Sequence, residues 1–113
     1  MKIAVLGFRT YQYQPVQPRG HEFFLGMLTT ALVARGHEVI YYGPPNAETR
    51  ATLRSLDKIP IEENPAFQVI PPEQRPFVYT VLAMEHTSWA IRDAEARKVD
   101  VIHTMDAFPW IHQ

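Results

Sequence analysis

The chain has 113 residues, 46% hydrophobic and 20% charged, a balance typical of one globular domain with one core. A formal net charge of −1 without a basic run gives no attraction for nucleic acid, so we expect no nucleic-acid partner. The absence of cysteine excludes disulfides and thiolate metal sites. No apolar run approaches the roughly 18 residues of a membrane span, and no signal-peptide pattern opens the chain, which favours a cytoplasmic protein.

The first 43 residues have a strand–helix–strand pattern. Lys2–Gly7 contains the continuous apolar run Ile3–Leu6, as expected of a strand buried on both faces. The apolar spacing predicts a helix from about His21 to Arg35, which Gly36 ends. Glu38–Tyr42 then predicts a second strand. So short a unit predicts two parallel strands joined by a right-handed crossover.

Four further elements are predicted in the rest of the chain. Ala47–Leu56 has a thin apolar stripe that indicates a short helix, with Asn46 as its N-cap. Phe67–Ile70 predicts the third strand, and Val99–His103 the fourth. Between these two strands, Pro76–Arg97 predicts the longest helix, although His86, Thr87 and Ser88 interrupt its apolar character.

Alternating strands and helices predict an α/β, doubly wound, Rossmann-like domain over residues 1–113. The expected sheet is parallel with strand order 3-2-1-4, and its topological switch lies between strands one and four. Ligands bind outside the carboxyl ends of the strands at such a switch. The Gly7–Gly20 connection leaves strand one there, and His103–Asp106 leaves strand four, so we expect the two to meet across one crevice.

The Gly7–Gly20 connection is unusually long, because a strand-to-helix loop usually takes about 2–6 residues. It leads to a helix start, where unpaired amides and the helix dipole favour an anion. Gly20 would let a phosphate approach and Arg19 would add a charged contact; alternatively, Gly20 turns the chain and Arg19 is solvated. His21 would form a hydrogen bond with a sugar hydroxyl, or else be a surface histidine. The negative charge of Glu22 is favourable at the positive end of the helix dipole, with or without a ligand.

His103 and Asp106 form a second polar pair, at the end of strand four. They would bind or orient a hydroxyl, or take part in acid–base chemistry. Asp106 would equally serve as the N-cap of a following helix. The five histidines form no metal-ligand spacing, so we expect no metal site; the family resemblance described next further implies no tightly bound cofactor.

Three segments resemble the N-terminal half of the retaining glycosyltransferases of GT-B architecture, the family 4-like or group 1 enzymes. The opening strand, residues 1–6, matches theirs. Residues 18–22 (Pro-Arg-Gly-His-Glu), followed by residues 32–39 (Leu-Val-Ala-Arg-Gly-His-Glu-Val), are similar to their glycine turn and helix-to-strand junction. Residues 99–106 (Val-Asp-Val-Ile-His-Thr-Met-Asp) resemble their fourth strand and the residues after it. Two positions depart from the pattern of that family: Arg19 replaces the first of its two glycines, and Met105 replaces a histidine.

The resemblance implies an acceptor-side domain of a hexosyltransferase-type enzyme that uses a nucleotide-sugar donor and a glycan or small-molecule acceptor. The turn at Arg19, Gly20, His21 and Glu22 would face the donor diphosphate, and His103 and Asp106 would border the acceptor. It also implies a fragment, inactive without a C-terminal donor domain. We further expect oligomers through the exposed edge of strand four. Two alternatives stay open: a non-catalytic module that binds a small anion or partner protein, and part of a sugar-nucleotide epimerase.

Overall fold

The computed structural model describes residues 1–10 and 19–104, and the side chains of these except residues 19–22. Four parallel strands form one sheet in the order β3-β2-β1-β4: β1 Lys2–Leu6, β2 Glu38–Tyr42, β3 Thr52–Arg54 and β4 Val101–Thr104. The helices are α1 Arg19–Ala34, α2 Pro65–Gln68 and α3 Arg75–Ala96, with short 3-10 helices at Ile61–Glu63 and Pro72–Gln74. The expected α/β class, Rossmann-like parallel sheet and strand order are confirmed.

The first strand–helix–strand unit forms as predicted, because β1 pairs in parallel with β2 from Lys2↔Glu38 to Leu6↔Tyr42. Helix α1 begins at Arg19, two residues before the predicted start. After its end, Gly36 has a φ of 87°, a left-handed conformation that a glycine adopts without a steric penalty.

The two faces of the sheet carry different helices, since successive strand residues point to opposite faces. One face packs against α1 through a core of Ile3, Val5, Leu25, Val39 and Tyr41. The other packs against α3 through Ala4, Leu6, Ile40, Tyr42, Ala90 and Ala94. The crossover from β1 to β2 and that from β3 to β4 therefore use opposite faces, and the topological switch lies between β1 and β4.

The third strand is Thr52–Arg54, so the prediction of a helix over Ala47–Leu56 was wrong. Its residues pair in parallel with β2, from Ile40↔Thr52 to Tyr42↔Arg54. Arg54 then donates to both carboxylate oxygens of Asp93 on α3, at 3.2 and 2.8 Å. The backbone pairing and this ion pair outweigh the weak helix propensity of the segment.

The predicted strand Phe67–Ile70 was also wrong, because Phe67 and Gln68 belong to α2. The Asn64 side chain accepts a hydrogen bond from the Ala66 amide at 2.9 Å, and Pro65 occupies the first turn; both features start a helix. Phe67 packs against Tyr79 of α3, with ring centroids 4.9 Å apart. This small third core holds the segment before α3 away from the sheet.

Helix α3 is confirmed, but its apolar residues are not all buried. Phe77 is 73% exposed and Val81 49%. The side facing the sheet instead includes His86, Thr87, Ala90 and Ala94. Two of the three polar residues that interrupt the apolar pattern, His86 and Thr87, are therefore buried at the sheet, whereas Ser88 is only partly buried and accepts a hydrogen bond from Arg92.

Candidate functional site

The candidate site lies at the carboxyl edge of the sheet, at the switch between β1 and β4. Arg19, Gly20, His21 and Glu22 form the first turn of α1, and their side chains are outside the described residues. His103 is the next-to-last residue of β4. Asp106, the second residue predicted on the acceptor side, also lies outside the described residues.

A ring contact joins α1 to the end of β4. The rings of Phe24 and His103 have centroids 6.4 Å apart, tilted by 41°. Phe24 follows Gly20 by four residues, about one helical turn or 6 Å along the axis. The first two turns of α1 therefore lie beside the carboxyl end of β4.

His103 presents an imidazole edge to this region. It pairs in register with Val5, so its side chain is on the α1 face of the sheet. The residue is half-buried, and its Nε2 atom is buried with no hydrogen-bond partner among the described residues. A buried polar atom normally has a partner, so this nitrogen is a candidate to bond a ligand hydroxyl.

The Tyr41 ring closes the part of the site above β1. A Cβ added to Gly7 would lie 2.5 Å from Tyr41 Cζ, and one added to Gly43 would lie 2.6 Å from Tyr41 Cε1. Both glycines are therefore needed for the close packing of a tyrosine side chain. A dinucleotide-binding turn instead needs an open glycine after the first strand, which the pyrophosphate approaches closely. The region directly above Gly7 is therefore filled by the Tyr41 ring.

An ion cluster around the buried side chain of Arg9 fixes the chain just after β1. Arg9 is 8% exposed, and its guanidinium donates to both oxygens of Asp57 at 2.9 and 2.8 Å. It also donates to Glu85 Oε1 at 2.7 Å and to the Leu82 carbonyl oxygen at 2.8 Å. Burial alone would lower the pKa of Arg9, but the hydrogen bonds to Asp57 and Glu85 raise it above its usual value. Arg9 therefore stays charged and ties the chain after β1 to α3.

Two more hydrogen bonds strengthen this anchor. The Thr10 hydroxyl donates to Glu62 Oε2 at 2.7 Å. His86 Nε2 lies 3.0 Å from the Gly7 carbonyl oxygen, and since a carbonyl only accepts, Nε2 carries the proton. We call the side chains of Arg9, Thr10, Asp57, Glu62, Glu85 and His86 the Arg9 anchor.

His86 is held neutral within the Arg9 anchor. It is 2% exposed, and burial, reinforced by the charge of Arg9, lowers its pKa to about 4 despite the opposing hydrogen bond to Gly7. Its Nδ1 has no hydrogen-bond partner in the part of the chain that the structure describes. Neutral imidazole donates one hydrogen bond to the β1 end and undergoes no change of charge near pH 7.

Sequence reasoning missed the Arg9 anchor. Arg9 is one of many polar residues in a long predicted loop, and Asp57 and Glu85 stand far from it in sequence. One signal was present: His86 precedes Ala90 and Ala94 at intervals of four, so it shares their buried helix side.

Comparisons with known proteins identify no family. No protein-family model matches the sequence, and no curated protein matches it at a significant level. Among the described residues, no three histidine or carboxylate side chains lie close enough together to hold a metal ion. None of the helices in the described ranges has the length and apolar character that crossing a membrane requires.

Proposed function

We propose that this chain is the acceptor-side, N-terminal domain of a glycosyltransferase of GT-B architecture, of the retaining, hexosyltransferase-type class. The observation that best supports the proposal is the contact of Phe24 with His103, because it sets the first turns of α1 against the end of β4. These are the two segments whose sequences resemble the enzyme family. The partners would be a nucleotide-sugar donor and a glycan or small-molecule acceptor.

The roles of the individual residues follow from their positions. Gly20 and Arg19 lie in the first turn of α1, where backbone amides and the helix dipole favour the phosphates of the donor. His103 offers a buried nitrogen that can exchange a hydrogen bond with an acceptor hydroxyl. Asp106, three residues later, would border the same acceptor. Catalysis would further need a donor-binding domain, because in this family the sugar is transferred in the cleft between two such domains.

The packing of Tyr41 favours this proposal over a sugar-nucleotide epimerase. An epimerase of this architecture would bind a dinucleotide at an open glycine after β1, whereas Gly7 is covered by the Tyr41 ring. The chain also lacks the second and third glycines of the G-x-G-x-x-G fingerprint that is typical of dinucleotide-binding turns.

The proposal includes a cytoplasmic location and association of copies through the outer edge of β4.

Nuclear magnetic resonance titrations of the isolated chain test the proposal. UDP-glucose, GDP-mannose, maltose and mannobiose are added separately up to about 10 mM, because a lone half-site binds in the millimolar range. We expect at least one of them to shift the amide signals of residues 20–24 and 101–104 in a saturable way. No saturable shift with any of the four would contradict the proposal.

Two histidine variants make this test specific. His103→Ala should abolish the saturable shifts, because the buried nitrogen is lost. His37→Ala is the matched control, since His37 bonds the Met1 amino group at the opposite edge of the sheet. Equal binding by the two variants would remove His103 from the site.

A further inference from the structure

A long connection joins β3 to α3 at the carboxyl edge of the sheet. Residues 55–74 leave the end of β3 and contain three short helices, whereas a connection between elements usually takes about 2–6 residues. Within this range Ile61 and Phe67 are buried, and most of the other residues are exposed. Long connections at such an edge include functional loops and active-site lids.

This connection has a core of its own. Ile61 and Phe67 pack with Tyr79 near the start of α3, and the rings of Phe67 and Tyr79 have centroids 4.9 Å apart. The partly buried members of this core lie in the same stretch of chain: Ile70, Val78 and Leu82. Every member that the structure describes therefore lies between residues 61 and 82, outside the four strands. We call residues 57–82 the lid segment.

Helix α3 is shared between two cores. Its N-terminal part carries Tyr79 and Leu82, which belong to the core of the lid segment. Its C-terminal part carries Ala90 and Ala94, which are fully buried against the sheet. Because different cores hold the two parts, the N-terminal part can separate while the C-terminal part stays packed on the sheet.

Polar contacts join the lid segment to the chain just after β1. The two carboxylate oxygens of Asp57 accept hydrogen bonds from Arg9 at 2.9 and 2.8 Å, and the Leu82 carbonyl oxygen accepts another at 2.8 Å. Glu62 accepts a hydrogen bond from the Thr10 hydroxyl at 2.7 Å. A hydrogen bond to a charged group changes an equilibrium constant by about tenfold or more. Arg9 and Thr10 therefore hold the lid segment closed.

We propose that the lid segment opens as one unit at the carboxyl edge of the sheet, with Arg9 and Thr10 as its latch. A segment with a small separate core opens more readily than the main core, and the lids of binding sites are drawn from such segments. The Arg9 guanidinium, 8% exposed when the lid is closed, is uncovered when it opens. Opening also releases the start of the connection that leads from β1 to Arg19 and Gly20.

Hydrogen exchange of the wild-type chain, followed by nuclear magnetic resonance at low urea concentrations, tests this opening. The amides of Asn64, Phe67 and Ile70 report on the lid segment, because they donate to carbonyl oxygens within it. We expect these amides and those of residues 79–82 to share one opening constant. It should be at least about a hundredfold larger than that of the slowest amides of β1 and β2, and residues 90–94 should follow the strands.

A substitution in the sheet separates lid opening from global unfolding. Ile3 lies in the core between the sheet and α1, so Ile3→Val should raise the opening constant of the β1 and β2 amides about fivefold. Lid opening leaves that core intact, so the opening constant of the lid amides should not change.

Two neighbouring glutamates of one 3-10 helix test the latch. Glu62→Ala removes the acceptor of the Thr10 hydroxyl, so the opening constant of the lid amides should rise about tenfold. Glu63→Ala is the matched control, because it removes the same charge at an exposed position. It should change that constant by no more than about twofold.

Three results would overturn the proposal. Lid amides that exchange with the opening constant of β1 and β2 would show that no separate unit opens. An equal effect of Ile3→Val on the lid and strand amides would show that the two regions open together. Equal effects of Glu62→Ala and Glu63→Ala would remove Thr10 from the latch. All these measurements are made without sugar, so their outcome is separate from that of the binding titrations.

Discussion

The two sides of the sheet's carboxyl edge differ in how their polar groups are satisfied. On the α3 side, Arg9 is buried and its donors reach Asp57, Glu85 and the Leu82 carbonyl oxygen. On the α1 side, His103 Nε2 is buried with no partner in the described part of the chain, beside the exposed ring of Phe24. The Arg9 guanidinium therefore has its partners within the fold, although His86 Nδ1 on the same side has none among the described residues, whereas the α1 side combines the unpartnered His103 Nε2 with an exposed aromatic ring.

This contrast separates stability from recognition. A buried charge with all its partners holds two segments in one geometry, and removing it leaves other charges unsatisfied. A buried nitrogen without a partner, next to exposed apolar groups, contributes little to folding and is available for contact. Substitutions on the α3 side should therefore change stability, and those on the α1 side should change binding or association.

The largest effect is expected from Arg9→Met. The change leaves the Asp57 carboxylate without its bidentate partner in a largely buried position, so we expect a loss of about 3 kcal/mol in the free energy of unfolding. Urea denaturation followed by circular dichroism measures it. Arg50→Met, at an exposed position, should change the same quantity by no more than about 0.5 kcal/mol.

A second substitution identifies the cause of that loss. Asp57→Asn in the Arg9→Met background removes the stranded charge, so it should recover part of the lost stability. If the double variant is less stable than Arg9→Met alone, the ion pair is not the main contribution of Arg9.

The pH dependence of the free energy of unfolding should show that His86 has a lower pKa in the folded than in the unfolded protein. Its pKa is about 4 in the folded protein and about 6.5 when exposed, so between these values the unfolded chain binds more protons. Above pH 6.5 His86 is neutral in both the folded and the unfolded state, so its contribution to stability is fully present. As the pH falls to 4, the unfolded chain takes up the proton first, and the free energy of unfolding falls by about 3 kcal/mol.

Comparison with His86→Gln isolates this contribution from that of the carboxylates. The glutamine amide can still donate to the Gly7 carbonyl but does not titrate, so stability should fall less steeply between pH 6.5 and 4. Parallel curves for the wild type and His86→Gln would show that His86 is protonated equally in both states.

Two glycine-to-alanine substitutions should act in opposite directions. At Gly7 the new Cβ would collide with Tyr41, so we expect about 2 kcal/mol of destabilisation from overpacking. At Gly26, within α1, no atom lies within 4 Å of the added Cβ, and the better helix propensity should stabilise by about 0.5–1 kcal/mol. Thermal unfolding of both variants measures the difference. A neutral Gly7→Ala would mean that the Tyr41 ring moves readily and that the space above β1 is accessible.

The parts of the fold that the sequence predicted are those with strong local signals. Glu38–Tyr42 is a β-rich run between Gly36 and Gly43, and its predicted bounds match the strand. Thr52–Arg54 forms a strand only because the edge of β2 is open beside it, and no local pattern reports that edge. Phe67 lies in an apolar run too short to distinguish a strand from a helix by periodicity.

The candidate site was predictable to a similar degree. That α1 begins at the same edge of the sheet where β4 ends followed from topology, and the Phe24–His103 contact places the two together. The Arg9 anchor was not predictable, because its members come from segments about 50 and 75 residues apart whose spacing depends on the fold. The covering of Gly7 by Tyr41 likewise depends on the register between β1 and β2.

The smallest effect on stability is expected from His103→Ala. The imidazole makes no hydrogen bond through Nε2 to any described residue, so its removal costs only the packing against Phe24, about 1 kcal/mol or less in urea denaturation. A loss above about 2 kcal/mol would indicate that His103 belongs to a satisfied network like that of Arg9. The contrast between the two sides would then disappear, because both would be structural. A small loss together with abolished sugar binding would instead separate the two roles: the α3 side maintains the edge of the sheet, and the α1 side uses it.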